Sequence, residues 1–195
     1  MFGGSFNPIH KGHTALAQFV CDLGLVDEVW FMVSPQNPLK KDSELLDENA
    51  RLRLVELAVQ NHPQLKASDF EFHLPRPSYT YITLERLEEA FPDIEFSLII
   101  GGDNWSLFPK WCNSDYILSH YPIIVYPREG QINPSGEEQE ETVSISDEQP
   151  HFLKDAPLFP ISSTEIRKAI QKGEDVSEWV DKAVLQEIRR KKYYE

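Results

Sequence analysis

Two histidines three residues apart, His10 and His13, follow paired glycines and a proline in GGSFNPIHKGH, residues 3 to 13. Imidazoles donate hydrogen bonds to phosphate oxygens, and when protonated they help neutralise charge developing in a transition state. Gly3 and Gly4 let a ligand approach the main chain, Pro8 fixes the turn, and Gly12 keeps room where a helix starting near Lys11 meets an anion. A glycine-rich turn into a helix also offers backbone N–H groups and the positive end of the helix dipole. The spacing therefore suits electrostatic catalysis of phosphoryl or nucleotidyl transfer. On spacing alone a structural turn, a pair of metal ligands or plain helix surface stays open. The stretch matches neither the GxGxxG nor the GxxxxGK[ST] phosphate-binding pattern.

The elements that must position these residues can be read from periodicity. Near-continuous apolar runs at 28 to 34, 96 to 102 and 121 to 127 suit buried parallel strands. Between them, apolar residues return every three or four positions over 13 to 24, 48 to 62 and 80 to 91, the pattern of amphipathic helices. Strand alternating with helix predicts an α/β fold with a doubly wound parallel sheet, whose ligands sit at the carboxyl ends of the strands. Two helices close the chain, one beginning at SSTE (162 to 165) with Ser or Thr ahead of Glu165, the other running from about Asp181 to Lys192. We expect a single domain over 1–195, with a helical segment at 162–195 and an exposed acidic insertion at 129–150. Only Met1 and Phe2 precede the first glycines, which predicts either a very short first strand or a natural chain that starts upstream.

Composition narrows the class. A chain of 195 residues with 41% hydrophobic and 26% charged residues is ordinary for a soluble globular protein, and no apolar run reaches membrane-span length. The formal net charge of −13 disfavours nucleic acid and anionic membranes as partners, so any phosphate ligand must be held locally. Much of that acidity lies in GEEQEET (136 to 142) and SISDEQP (144 to 150), a composition that fits plain disorder. Cys21 and Cys112 show neither metal nor redox spacing, and no basic n-region precedes an apolar stretch, which together predict a reduced, cytoplasmic protein. Homo-oligomerisation is left open.

Taken together, GGSFNPIHKGH and ISSTEIR (161 to 167) resemble the HxGH and SSTxIR signatures of the nucleotidyltransferase superfamily. SPQNPLKK (34 to 41), RPSYTYITLERL (76 to 87) and IIGGDNWSLFPKW (99 to 111) are similar to segments of one branch, the bacterial nicotinate-nucleotide adenylyltransferases. The resemblance implies a Rossmann-like fold and the joining of nicotinate mononucleotide to ATP, giving nicotinate adenine dinucleotide and pyrophosphate, with Mg²⁺ on the phosphates and no metal held by protein ligands. The nucleophile would be the substrate's own 5′-phosphate, which accounts for the lack of a Ser-His-Asp or Cys-His set.

By the same resemblance, His10 and His13 would contact the ATP phosphates, His13 most directly at the α-phosphate. Arg167 would clamp the β and γ phosphates, while Ser162, Ser163 and Thr164 supply hydroxyl and backbone donors. Gly3, Gly4, Ser5 and Phe6 would form the groove floor, and Gly101, Gly102 and Asp103 the ribose and adenine side; Asp103 could also cap a helix. Lys40 or Lys41 would reach the phosphates, although NPLKK departs from the family's usual PPH followed by a base. Thr80 and the backbone around Trp111 would meet the nicotinate carboxylate, with the Trp111 ring on the pyridine. Trp30, Trp105 and Trp179 are expected to pack, and His62, His73, His120 and His151 match no motif. Nicotinamide mononucleotide and phosphopantetheine are rival acceptors, PSYT and PKW speaking against the latter; a non-catalytic nucleotide sensor is the alternative of a different class.

Overall fold

The computed structural model describes residues 1–35, 45–127, 150–153, 155–157 and 159–195. In chain order the elements are β1 (Phe2–Gly4), α1 (Lys11–Asp22), β2 (Val29–Val33), α2 (Glu48–Val59), β3 (Leu65–Ser68), α3 (Thr80–Ala90), β4 (Leu98–Gly101), α4 (Gly102–Leu107), α5 (Ser114–His120), β5 (Ile123–Tyr126), β6 (His151–Phe152), α6 (Ser163–Gln171) and α7 (Lys182–Lys191). Short 3₁₀ turns occupy Phe70–His73 and Phe108–Lys110. The chain forms two compact units, one of residues 1–78 with 159–195 and the other of residues 79–158.

The first unit is built on three parallel strands. β2 pairs with β1 (Phe2 opposite Phe31, Gly4 opposite Val33) and with β3 (Val29 opposite Leu65). Phe31, Met32 and Val33 are buried completely, so β2 reads as the unbroken apolar run of a strand covered on both faces. α1 buries Leu16, Ala17, Val20 and Cys21, the three-and-four spacing of one helical face. α2 starts where the Asp47 carboxylate accepts the N–H groups of Asn49 and Ala50, and it contributes Leu54, Val55 and Ala58 to the core. Each fully buried leucine or isoleucine stabilises the fold by roughly 1.5–3 kcal/mol. α6 and α7 add Ile166, Val184 and Ile188.

In the second unit β5 pairs in parallel with β4 (Leu98 opposite Ile123, Gly101 opposite Tyr126) and with β6 (Ile124 opposite His151). Leu84, Leu87, Ile99, Ile117 and Ile123 fill its core. The parallel pairing foreseen from the apolar runs holds in both units. β1 spans three residues, with Phe2 buried. Several pieces had no signal of their own, among them β3, whose LKAS is half polar, the Phe70–His73 turn, and α5, too short to show a period. Of the acidic segment 129–150, all but Pro150 lies outside the described residues, as do Lys40 and Lys41.

Candidate active site

α1 begins one residue after His10, which takes the N-cap position with extended angles (φ −144°, ψ 168°). Three residues on, where a glutamate reaches back to the N-cap N–H in a capping box, this chain has His13. Its Nδ1 accepts the His10 N–H at 3.2 Å. That bond selects the tautomer: with Nδ1 accepting, the proton of the neutral ring sits on Nε2. The two imidazoles lie 3.7 Å apart between centroids, inclined by 35°. Phe6 meets His13 edge-on at 5.2 Å, and Phe6 in turn packs on Phe2 and Phe31 at 5.8 and 5.4 Å. Phe6 is almost wholly buried, so it is a wall holding the His13 ring and not an open groove floor.

The glycines of the motif differ in task. A Cβ on Gly12 would stand 3.0 Å from His10 Nδ1 and 3.0 Å from Phe159 Cβ, so only glycine lets the His10 ring fold back over the helix start. A Cβ on Gly4 would fall 2.9 Å from the Phe6 ring, and Phe6 itself sits in the left-handed region (φ 45°) to bring the ring there. Gly3 is exposed and nothing lies within 4 Å of where its Cβ would be, leaving its main chain open to a ligand.

The second motif is fastened to the first. Ser162 caps α6 and forms a full capping box with Glu165: its Oγ accepts the Glu165 N–H at 3.2 Å, and the Glu165 carboxylate accepts the Ser162 N–H at 2.8 Å. The Ser162 hydroxyl also donates to that carboxylate at 2.7 Å, and these bonds hold the Glu165 carboxyl below its ordinary range. Ser163 Oγ donates to the Pro8 carbonyl at 2.8 Å, and Arg167 Nη1 donates to the Asn7 carbonyl at 2.9 Å. The hydroxyls expected to reach phosphate are thus committed to building the helix start, and Thr164, exposed in the first turn, is the one left facing solvent. Arg167 reaches the motif loop from the second turn of α6. The consequence is that the N-terminal ends of α1 and α6 are stitched together at Asn7 and Pro8, with both imidazoles beside them.

A third support comes from α2. Arg51 is fully buried and donates through Nε to the Leu46 carbonyl at 2.8 Å, through Nη1 to Ser5 and Ser34 at 2.6 and 2.8 Å, and through Nη2 to Pro35 at 3.1 Å. One guanidinium therefore ties the loop after β1 to the chain leaving β2 and to the chain entering α2. Its planar fork suits this task, because five donors leave in fixed directions from one rigid group. Buried Asn7 is a smaller hub, its Oδ1 accepting from the Leu46 N–H at 3.2 Å and from the Tyr194 hydroxyl at 3.0 Å.

The second unit carries the remaining candidates. Gly101 ends β4 and is the N-cap of α4, and a Cβ there would crowd the Asp103 carboxylate and the Tyr126 ring. Asp103 lies in the first turn of α4, whose N-cap position is Gly101. Trp111 follows the Phe108–Lys110 turn, its ring 5.5 Å from that of Phe108 at 49°. Its indole N–H is shielded from solvent and meets no acceptor among the described residues. Thr80, half-buried, opens α3. Trp105 stacks on Phe108 at 5.1 Å, and in the first unit Trp30 donates to Glu28 at 3.0 Å under the Lys66 ammonium, both as packing residues. His120 stacks on Tyr116 at 4.0 Å and serves its own helix.

Comparison with known proteins now decides the family. The cytidylyltransferase-like family model matches residues 1–169. A protein of Bacteroides thetaiotaomicron named "Probable nicotinate-nucleotide adenylyltransferase" is 49% identical over 190 residues, spanning 97% of this chain and 89% of its own. One of the same name from Flavobacterium johnsoniae is 40% identical over 194 residues, spanning 100% of this chain and 97% of its own. The chain belongs to the nicotinate-nucleotide adenylyltransferases. The family resemblance carried by HxGH and SSTxIR is therefore borne out, and with it the nucleotidyltransferase class. The solved structure of Plasmodium falciparum nicotinic acid mononucleotide adenylyltransferase complexed with NaAD has a TM-score of 0.76 at 19% identity, covering 99% of this chain and 95% of that one. That likeness shows the doubly wound α/β fold of the family.

Within this adenylyltransferase, three residues escaped the sequence reading: Asn7, Arg51 and Tyr194. Arg51 did leave a signal, since it falls on the same helical face as Leu54, Val55 and Ala58, where a cation belongs only if it is bonded. Asn7 sits inside the quoted motif, where the sequence assigned it no role. Tyr194 has no periodic or motif signal at all.

Proposed function

We propose that this chain transfers the adenylyl group of ATP to nicotinate mononucleotide, releasing nicotinate adenine dinucleotide and pyrophosphate in NAD biosynthesis. The observation that carries the reading is the junction of the α1 and α6 N-termini, where Ser163 and Arg167 bond the Pro8 and Asn7 carbonyls beside the paired imidazoles. Two positive helix ends, two imidazoles and a guanidinium in one place form a site for a polyphosphate. Its donors are N–H groups, which suit anions and not a bare cation. Among the described residues no three His, Cys, Asp or Glu side chains gather to hold a metal. Mg²⁺ would arrive on the ATP phosphates, where it supplies charge neutralisation.

In the reaction a 5′-phosphate oxygen of nicotinate mononucleotide forms a bond to the α-phosphorus of ATP while the bond to the bridging oxygen of pyrophosphate breaks. No covalent enzyme intermediate is needed, so the protein's work is placement and electrostatics. His13 Nε2, given its proton by the bond at Nδ1, donates to the α-phosphate as charge shifts there. His10 and Arg167 face the departing pyrophosphate, together with the main-chain donors at Gly3, Gly4, Ser5 and, at the start of α6, at Ser163 and Thr164, while Ser162 holds that start in shape through its cap. Gly101 and Asp103 hold the nucleoside of ATP, and Thr80 with Trp111 receives the pyridine nucleotide, the shielded indole N–H of Trp111 being suited to an acceptor on that ligand. The two cysteines are unpaired, and no helix among the described residues is long and apolar enough to cross a membrane.

The test is pyrophosphate release from ATP and Mg²⁺ with nicotinate mononucleotide, nicotinamide mononucleotide or phosphopantetheine. The expected result is strong preference for the nicotinate compound and a loss of about 10²- to 10³-fold in kcat for His13→Ala. Equal use of nicotinamide mononucleotide would move the acceptor assignment, and turnover unaffected by His13→Ala would remove the motif from the chemistry.

A further inference from the structure

After α7 the chain makes an unusual excursion. Lys192 and Tyr194 both adopt left-handed backbone angles (φ 55° and 68°), a region that costs a residue with a bulky side chain of order 1 kcal/mol or more. The outcome is that the Tyr194 hydroxyl donates to Asn7 Oδ1 at 3.0 Å, across 187 positions of sequence. Asn7 is buried, and its own carbonyl is the acceptor for Arg167. The phenol is largely enclosed, and its burial raises it above its ordinary value, against the opposing pull of the Arg167 and Arg51 guanidiniums. It therefore stays protonated and donates throughout the working pH range.

We propose that Tyr194 is a positioning residue for the ATP phosphates: by bonding the Asn7 side chain it holds the loop between β1 and α1 at the distance from α6 at which Arg167 and the two imidazoles address one polyphosphate. The inference rests on the adenylyltransferase reading of that loop. Tyr194 touches no reacting atom and acts through Asn7. Its bond joins the segment after α7 to the loop that Arg51 holds from α2 and Arg167 holds from α6, so three remote parts of the first unit converge on residues 5 to 8. The backbone conformation after α7 serves this contact, since the Tyr193 N–H returns to the Ile188 carbonyl at 3.0 Å and turns the chain back toward the loop.

The experiment compares the wild-type protein with Tyr194→Phe, which keeps the ring and removes only the hydroxyl. Steady-state kinetics are measured with ATP and nicotinate mononucleotide varied in turn, with thermal midpoints alongside. The KM for ATP is expected to rise about three- to tenfold, the range for one neutral hydrogen bond, with the KM for nicotinate mononucleotide unchanged and the midpoint lower by no more than the few degrees that one such bond contributes. In an Asn7→Ala background the same replacement is expected to have no further effect, because the partner is gone. Equal losses for both substrates, or a fall in the midpoint without a change in the KM for ATP, would overturn the proposal, as would full additivity with Asn7→Ala. Equilibrium binding of ATP to both proteins provides a readout independent of turnover: if the wild type binds ATP but does not adenylate nicotinate mononucleotide, the assigned reaction fails while the role of Tyr194 is still decided by the ratio of the two affinities.

Discussion

Replacing Arg51 by methionine tests how far the site depends on one buried group. Among the described residues the guanidinium donates to the main-chain carbonyls of Ser5, Ser34, Pro35 and Leu46. Methionine has a similar reach and no donor, so those oxygens lose their partner. A buried acceptor left unsatisfied costs about 1–3 kcal/mol. Pro35 is buried and the other three are partly open, so water can replace some of the lost bonds. Removing the guanidinium also removes the cost of keeping a charge out of water, which offsets part of the loss. The balance is a destabilisation of about 3 kcal/mol, which in a chain of this length lowers Tm by roughly 6–12 °C. Arg51→Lys should recover only part of it, because three donors on one nitrogen cannot span carbonyls on three segments. Circular dichroism melting at fixed protein concentration measures the effect, and ATP titration of the folded variant reports the loop. A Tm within about 3 °C of wild type for Arg51→Met would refute the view that these bonds fasten the loop.

Two further substitutions test the local geometry. Gly12→Ala places a Cβ 3.0 Å from His10 Nδ1 and from Phe159 Cβ, so the His10 ring must swing away; kcat for pyrophosphate release should fall while Tm changes little, and an unaltered kcat would show that His10 does not need this pose. Ser162→Ala removes both hydroxyl bonds of the α6 capping box. Because the Glu165 carboxyl is held below its ordinary value when folded, its contribution is present above the unfolded carboxylate range and is lost as pH falls through the lowered folded value. Melting curves of wild type should therefore decline on the acid side more steeply than those of Ser162→Ala, and parallel declines would contradict the assignment.

How much of this was legible in sequence depends on the kind of interaction. Strands β2, β4 and β5 announced themselves because a strand covered on both faces is apolar at every position. The start of α1 at Lys11 and the cap of α6 at Ser162 were readable because caps are local chemistry. The proximity of HxGH to SSTxIR was legible only through the resemblance, since nothing in either stretch encodes the bonds from Ser163 to Pro8 and from Arg167 to Asn7. The bonds that the serine hydroxyls make were illegible for the same reason. Ser162 and Ser163 have the chemistry of phosphate ligands, yet the folded chain engages both within its own frame. Tertiary hydrogen bonds leave no period, so Asn7 and Tyr194 could not be found by spacing.

The net charge of −13 raises a question that the site itself answers: how does so acidic a chain hold a triphosphate? Helices usually place acidic groups at their own N-terminal ends, which uses up the positive end of the dipole. α2 does so with Asp47 and Glu48, and α7 with Asp181. α1 does not: its first turn contains no acidic residue, and its cap position is a histidine bonded by a histidine. This end, which lacks an internal anion, is where Gly3 is open and where α6 and its arginine are fastened. α6 keeps Glu165, but the carboxylate is turned back onto Ser162 as part of the cap. A field that falls off over about 8–10 Å at physiological salt responds to such local arrangement more than to the net charge of the chain. Raising ionic strength should therefore weaken ATP binding only modestly, whereas placing a carboxylate in the first turn of α1, as in Thr14→Glu, should weaken it severalfold at constant salt, and an unchanged affinity would show that the α1 end does not face the nucleotide.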